Sequence, residues 1–192
     1  MARTKEFDRD EAVRRAMVVF WEQGYEATST EDLLRAMGIG RQSMYDTFGD
    51  KHGLYLEAVR LYQAEYGANL MECLHSKPSP LASIREFLLT IPNGSPKERA
   101  RGCLSVNATT ELAHADPEVA AMLKANVGPE VMTRAVREAQ QKGELNPRLD
   151  ARVTANFLLA TIAGLRVSAK AGLPPEALRD IVEFAIAGLK AR

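Results

Sequence analysis

Tyr25-Glu-Ala-Thr-Ser-Thr-Glu-Asp-Leu-Leu-Arg-Ala-Met-Gly-Ile-Gly-Arg-Gln-Ser-Met-Tyr-Asp-Thr-Phe-Gly-Asp-Lys51 divides at Met37-Gly-Ile-Gly40 into two short helical halves. Ser29 stands where an N-cap is needed and Asp32 follows at the third helical position, while Leu33, Leu34 and Met37 supply the inner face of the first half. In the second half, Arg41 to Phe48, Met44 and Phe48 are four residues apart and point one way. Arg41, Gln42, Ser43, Tyr45 and Thr47 are left on the outside. Two short helices about a tight glycine turn form the layout of a helix-turn-helix, which places its second helix in the major groove of DNA.

The flanking sequence supplies what such an element packs against. Asp8 and Glu11 open a first helix behind Phe7, with Val13, Ala16, Met17, Phe20 and Trp21 on one stripe and Gly24 at its end. Asp50 caps a fourth helix that carries Leu54, Tyr55, Ala58, Val59, Tyr62 and Tyr66 and stops before Ser76-Lys-Pro-Ser-Pro80. Pro80 opens a fifth, with Leu81, Ile84, Phe87, Leu88 and Ile91 inside, ending at the turn cluster Pro92 to Pro96. A sixth helix is expected over Arg99 to Ala113. A seventh opens at Asp116-Pro117, kinks at Gly128-Pro129 and ends at Gly143. An eighth runs from Asp150 to about Ala171, and after Gly172-Leu-Pro-Pro175 a ninth covers Glu176 to Lys190. No strand pattern appears, so the fold class is all-α: a three-helix N-terminal domain over residues 1–50, then a helical domain over 51–192.

Composition narrows the class. The chain has 192 residues, 46% of them hydrophobic, enough for a substantial core. No apolar run approaches the roughly 20 residues of a membrane span, and Met-Ala-Arg-Thr-Lys-Glu-Phe-Asp has no signal-like stretch, so a cytoplasmic protein without a membrane partner is expected. Cys73 and Cys103 are too few for a disulfide framework and read as reduced thiols. Net charge is zero, and residues 1–50 carry seven Lys or Arg against ten Asp or Glu. That balance excludes a binder of DNA at large and leaves one that relies on a few placed donors.

Residues 7–60 resemble the N-terminal domain of the TetR family of bacterial transcriptional repressors, chiefly in Phe20-Trp-Glu-Gln-Gly-Tyr25, Thr28-Ser-Thr30, Met37-Gly-Ile-Gly40 and Met44-Tyr-Asp-Thr-Phe-Gly-Asp-Lys51. The resemblance implies double-stranded operator DNA as partner. By position, Arg41 and Gln42 are the expected base readers, since Arg matches guanine O6 and N7 and Gln matches adenine. Ser43, Tyr45 and Thr47 carry hydroxyls suited to phosphate, and the resemblance supports Tyr45 and Lys51 as backbone contacts. Thr30 opens a helix whose positive end suits phosphate. Arg3 and Lys5 form a short basic arm, read either as a minor-groove contact or as a solvated terminus. Two positions depart from the common family pattern: Gly40 replaces a hydroxyl residue, and Asp46 replaces an aromatic one. A carboxylate at 46 repels phosphate unless it accepts from cytosine N4 or pairs with Arg41.

Beyond residue 60 the resemblance is one of length and helical character. In Arg101-Gly-Cys-Leu-Ser-Val-Asn-Ala-Thr-Thr-Glu-Leu-Ala-His114, Cys103, Asn107, Thr110 and His114 share one face of a helix expected to lie largely inside. A buried polar face needs partners. The resemblance implies a small-molecule effector pocket formed by Tyr62, Tyr66, Phe87, Cys103, Asn107 and Thr110; mutual hydrogen bonding is the plainer alternative. Cys103 reads either as a thiol sensor or as a small buried hydrophobe. Phe157, Ala160 and Gly164, with Ile181, Phe184, Ala185 and Gly188, form small and apolar faces that the resemblance assigns to a homodimer interface. No cofactor or metal is expected. An enzyme or ligand carrier on a helical bundle is the rival class, but three histidines without a His-Glu-x-x-His, a phosphate-binding loop or a nucleophile elbow assemble no catalytic group.

Overall fold

The computed structural model describes residues 7–191, and among them every regular element is a helix, beside one isolated antiparallel bridge between Leu145 and Lys190. In order these are α1 (Arg9–Gln23), α2 (Thr30–Met37), α3 (Arg41–Phe48), α4 (Lys51–Leu74), α5 (Pro80–Asn93), α6 (Pro96–Arg101), α7 (Leu104–Glu111), α8 (Pro117–Lys124), α9 (Gly128–Gln141), α10 (Ala151–Lys170) and α11 (Pro175–Leu189). Counting each interrupted helix once gives the nine expected. The chain forms two compact units, one of residues up to Glu65 with Asn107–Lys124, the other of Tyr66–Val106 with the residues from Ala125 onward. The arm residues Arg3 and Lys5 lie outside the described residues.

The first unit is built on caps and aromatic contacts. Asp8 accepts from the amides of Asp10 and Glu11 at 3.0 and 3.1 Å, starting α1. Ser29 and Asp32 form the reciprocal capping box of α2, and this bonding holds the Asp32 carboxyl below its ordinary range, the Ser29 hydroxyl being the first cause. Ala12, Val13, Ala16, Met17 and Phe20 of α1 are buried, as are Leu33, Met37, Met44, Phe48, Leu54, Tyr55, Ala58 and Val59. Phe20 meets Tyr55 edge-on at 5.0 Å, and Trp21 meets Tyr62 at 4.7 Å. A fully buried large apolar side chain such as Phe20 contributes about 1.5 to 3 kcal/mol. Gly53 is required by a close approach: any Cβ there collides with the Phe48 carbonyl, so the turn from α3 into α4 can fold tightly.

In the second unit α9 packs on α10, α11 on α5, and α5 on α9, around Leu70, Ile84, Phe87, Leu88, Met132, Leu158 and Leu165. The amide of Asn146 donates to the Leu189 carbonyl at 3.0 Å and closes the end of α11.

Two expected helices are broken. Gly102, at φ 73, stops α6 in a left-handed conformation that a side chain strongly disfavours, so the run from Arg99 to Ala113 is not continuous. The expected kink at Gly128-Pro129 is a full interruption between α8 and α9, with Pro129 in the first turn of α9, where its missing N–H removes nothing. Pro92 lies inside the last turn of α5 instead of in a turn.

Candidate nucleic-acid interface

Gly38, at φ 70, donates to the Leu34 carbonyl at 2.9 Å and ends α2. Gly40 then stands as the N-cap of α3 in extended conformation, and with no side chain it leaves the first-turn amides of α3 without a side-chain acceptor. Met44 is fully buried and Phe48 nearly so, which fixes the roll of the helix about its axis. Arg41, Gln42, Tyr45 and Asp46 are consequently exposed, while Ser43, Thr47, Thr30 and Lys51 are half-buried.

Arg41, Gln42 and Asp46 are already paired. The Arg41 guanidinium donates to the Glu31 carboxylate, an ion pair that spans the turn from α3 to α2. The Gln42 Nε2 donates to Asp46 Oδ1 at 2.7 Å, one helical turn away. Asp46 therefore pairs with Gln42, and the partnership with Arg41 considered from sequence does not form. Lys51 Nζ sits 4.4 Å from the centre of the Tyr25 ring, a cation-π contact that orients the ammonium.

A second polar cluster joins the residues around 107–124 to the turn between α1 and α2 and to the start of α4. Glu111 accepts from the amides of Tyr25 at 3.1 Å and Glu26 at 2.9 Å. His52 Nε2 lies 2.6 Å from Asp116 Oδ2. Asp116 also caps α8 by accepting from the Val119 amide at 3.1 Å, and that bond first, with His52 adding to it, draws its carboxyl below the ordinary range. His114, the sequence neighbour of Asp116, is exposed. Sequence reasoning missed Glu31, His52 and Glu111. Their partners lie between 10 and 86 residues away, beyond any local spacing rule.

The expected pocket residues divide between the units. Tyr62 is buried in the first unit, with Asn107 half-buried and Thr110 exposed; the Thr110 hydroxyl donates to the Asn107 carbonyl at 3.0 Å. In the second unit Tyr66 meets Phe87 edge-on at 5.8 Å, burial raises the Tyr66 phenol above its ordinary range, and Cys103 is buried. The single buried polar face drawn through Cys103, Asn107, Thr110 and His114 is corrected: Cys103 precedes α7, and Thr110 and His114 face solvent.

Of the expected interface residues, Phe157 and Ile181 are 47% and 41% exposed and Phe184 is 85% exposed, with Ala160, Gly164 and Gly188 also at the surface. Ala185 is buried within the unit and faces inward. Val153 and Val167, 65% and 51% exposed, extend the same stripe on α10. They fall at helical spacing with Phe157, Ala160 and Gly164, a signal available from the sequence. Among the described residues no helix is long and apolar enough to cross a membrane, and no group of three His, Cys, Asp or Glu is placed to hold a metal ion.

Residues 13–58 match the family model described as bacterial regulatory proteins, tetR family, and residues 80–185 match the tetracyclin repressor-like C-terminal domain. The chain is 35% identical over 193 residues to the HTH-type transcriptional regulator YezE of Bacillus subtilis (strain 168), a match covering 98% of this chain and 100% of that one. It is 32% identical over 183 residues to the HTH-type transcriptional repressor ComR of Escherichia coli (strain K12), covering 93% and 87%. Among solved structures, a cysteine mutant of the TetR family regulator CifR complexed with 26-bp double-strand operator DNA superposes with a TM-score of 0.83 at 33% identity, covering 97% of this chain and 99% of that one.

Proposed function

Because the chain belongs to the TetR family of bacterial regulatory proteins, DNA-binding transcription factors and not enzymes, we propose that it is a cytoplasmic repressor that holds a palindromic operator as a homodimer and releases it on binding a small-molecule effector. The observation that carries the reading is the exposed polar face of α3, set by the buried Met44 and Phe48, in a chain that matches nearly the whole length of a relative solved on its operator. On this reading residues 1–50 are the DNA-binding domain and 51–192 the effector and dimerisation domain. Arg41 and Gln42 read base edges, and Thr30, Ser43, Tyr45, Thr47 and Lys51 meet phosphates and fix register. The apolar stripes of α10 and α11, through Phe157, Ala160, Gly164, Ile181, Phe184 and Gly188, pair with their copies about a two-fold axis, matching two half-sites.

Effector binding is a population shift. Tyr62, Tyr66, Phe87, Cys103, Asn107 and Thr110 are its candidate residues, and α4 is the continuous helix that carries both Lys51 and Tyr66. An effector that prefers a conformation with mismatched reading heads lowers operator affinity, and operator DNA then lowers effector affinity by the same factor. Selection of bound duplexes from a random pool, followed by competition with small molecules, tests the assignment. A palindromic site is the expected result, and recovery of no common site at low salt overturns it.

A further inference from the structure

We propose that Asp46 and Glu31 set operator selectivity, each carboxylate holding the head of one reader, Gln42 or Arg41, in a single pose and repelling phosphate where that reader meets no matching base. The proposal rests on the reading of Arg41 and Gln42 as base readers.

The chemistry follows from the two contacts. The Gln42 amide is planar, and its bond to Asp46 at 2.7 Å uses one of the two Nε2 hydrogens. The remaining N–H and the carbonyl oxygen form the donor and acceptor pair that complements adenine N7 and N6. Without Asp46 an exposed glutamine samples several rotamers and both faces of its amide, and that freedom must be lost at the moment of binding. Arg41 presents five donors in a rigid fork; Glu31 takes one end and leaves the others for guanine O6 and N7. Asp46 and Glu31 are exposed, so their pairs add little to folding stability. Their effect is on pose.

Charge acts on affinity for any duplex. From Tyr25 to Lys51 the chain carries five carboxylates, at Glu26, Glu31, Asp32, Asp46 and Asp50, against Arg35, Arg41 and Lys51. A duplex carries about one negative charge per 1.7 Å of its axis, so carboxylates on the reading face weaken contact with any duplex. At a matched site the readers recover that loss through base contacts, and Asp46 is also placed on the face where cytosine N4 can donate to it. At a mismatched site they recover nothing. The repulsion is common to every duplex and cancels from the ratio between sites, so it sets how weakly an unmatched duplex is held, while the fixed pose of the readers sets the preference.

The test uses the full chain and the selected operator, a panel of single-base variants and an unrelated duplex. Asp46→Ala is expected to flatten base preference at the Gln42 position by about tenfold and to raise affinity for the unrelated duplex. Asp46→Asn keeps an acceptor for Gln42 without the charge, so it retains the base preference while the unrelated duplex binds more tightly. Glu31→Gln raises unrelated binding in the same way. In a Gln42→Ala background, Asp46→Ala removes no further preference. If Gln42→Ala abolishes the preference while Asp46→Ala leaves it intact, the clamp is overturned and the reader stands. If Gln42→Ala itself leaves every preference unchanged, reader and clamp fall together.

Discussion

The outer face of α3 and the outer faces of α10 and α11 are both left exposed, but in opposite chemistries. On α3 the exposed Arg41 and Gln42 each have a carboxylate or its hydrogen bond at hand, so the surface is satisfied in water. On α10 and α11 the exposed residues include the large hydrophobics Val153, Phe157, Val167, Ile181 and Phe184, which water does not satisfy. A polar surface with its own partners can exchange them for bases and phosphates reversibly, and binding is tuned by which exchange is favourable. An apolar stripe has only one route to lower free energy, burial, and in the proposed homodimer a second copy of the same stripe provides it. The difference separates a contact that must form and break from one that stays formed.

Placing a charge on the apolar stripe breaks the comparison most strongly. Phe184→Glu is expected to yield a monomer by sedimentation and to reduce operator affinity by on the order of a thousandfold, the avidity of two linked half-sites. Circular dichroism should remain helical, because Phe184 is 85% exposed within its own chain. A variant that still sediments as a dimer would show that the stripe is not the interface.

Changes on the polar surface are smaller and separate by kind. Arg41→Ala should cost about 1 to 3 kcal/mol at a single base pair and relax preference there. Lys51→Ala should weaken all duplexes alike and lower the slope of log affinity against log salt by about one unit. Titrations by fluorescence anisotropy at several salt concentrations distinguish the two. Uniform loss for Arg41→Ala would assign it to phosphate.

The smallest effect concerns acid. The Val119 amide first, and His52 after it, hold the Asp116 carboxyl below the ordinary carboxylate range. Its contribution to stability is therefore present above the unfolded pKa and lost as pH falls through the lowered folded value. Asp116→Asn should reduce stability modestly near neutral pH and flatten the stability curve below about pH 4. Thermal melts across that range check it, and a parallel shift at every pH would contradict the sign.

Local chemistry carried most of the fold in the sequence. Asp8, Ser29 and Asp150 cap the helices they were expected to cap, because a cap is a property of four adjacent residues. Gly102 was legible as a residue and not as a break: a glycine inside a periodic run is tolerated in a helix, and only the surrounding fold selected its positive φ. Within the site, Gln42 and Asp46 stand at the spacing of helical neighbours, but the sequence offers the carboxylate cytosine N4 or Arg41 as partner. Glu31 had already taken that cation from across the turn. Ala185 shows the same limit on α11, since a small residue fits an inward face as well as an interface.

Glu111 gives the family's modular plan an unexpected seam in this chain. Its carboxylate ties the amides of Tyr25 and Glu26, and residues 107–124 belong to the same compact unit as the reading head. A fragment ending at Glu65 lacks that tie, as well as the Asp116 that meets His52. Exchange of reading heads between relatives should therefore transplant two separate pieces of sequence, because the portable part of this regulator is discontinuous along the chain.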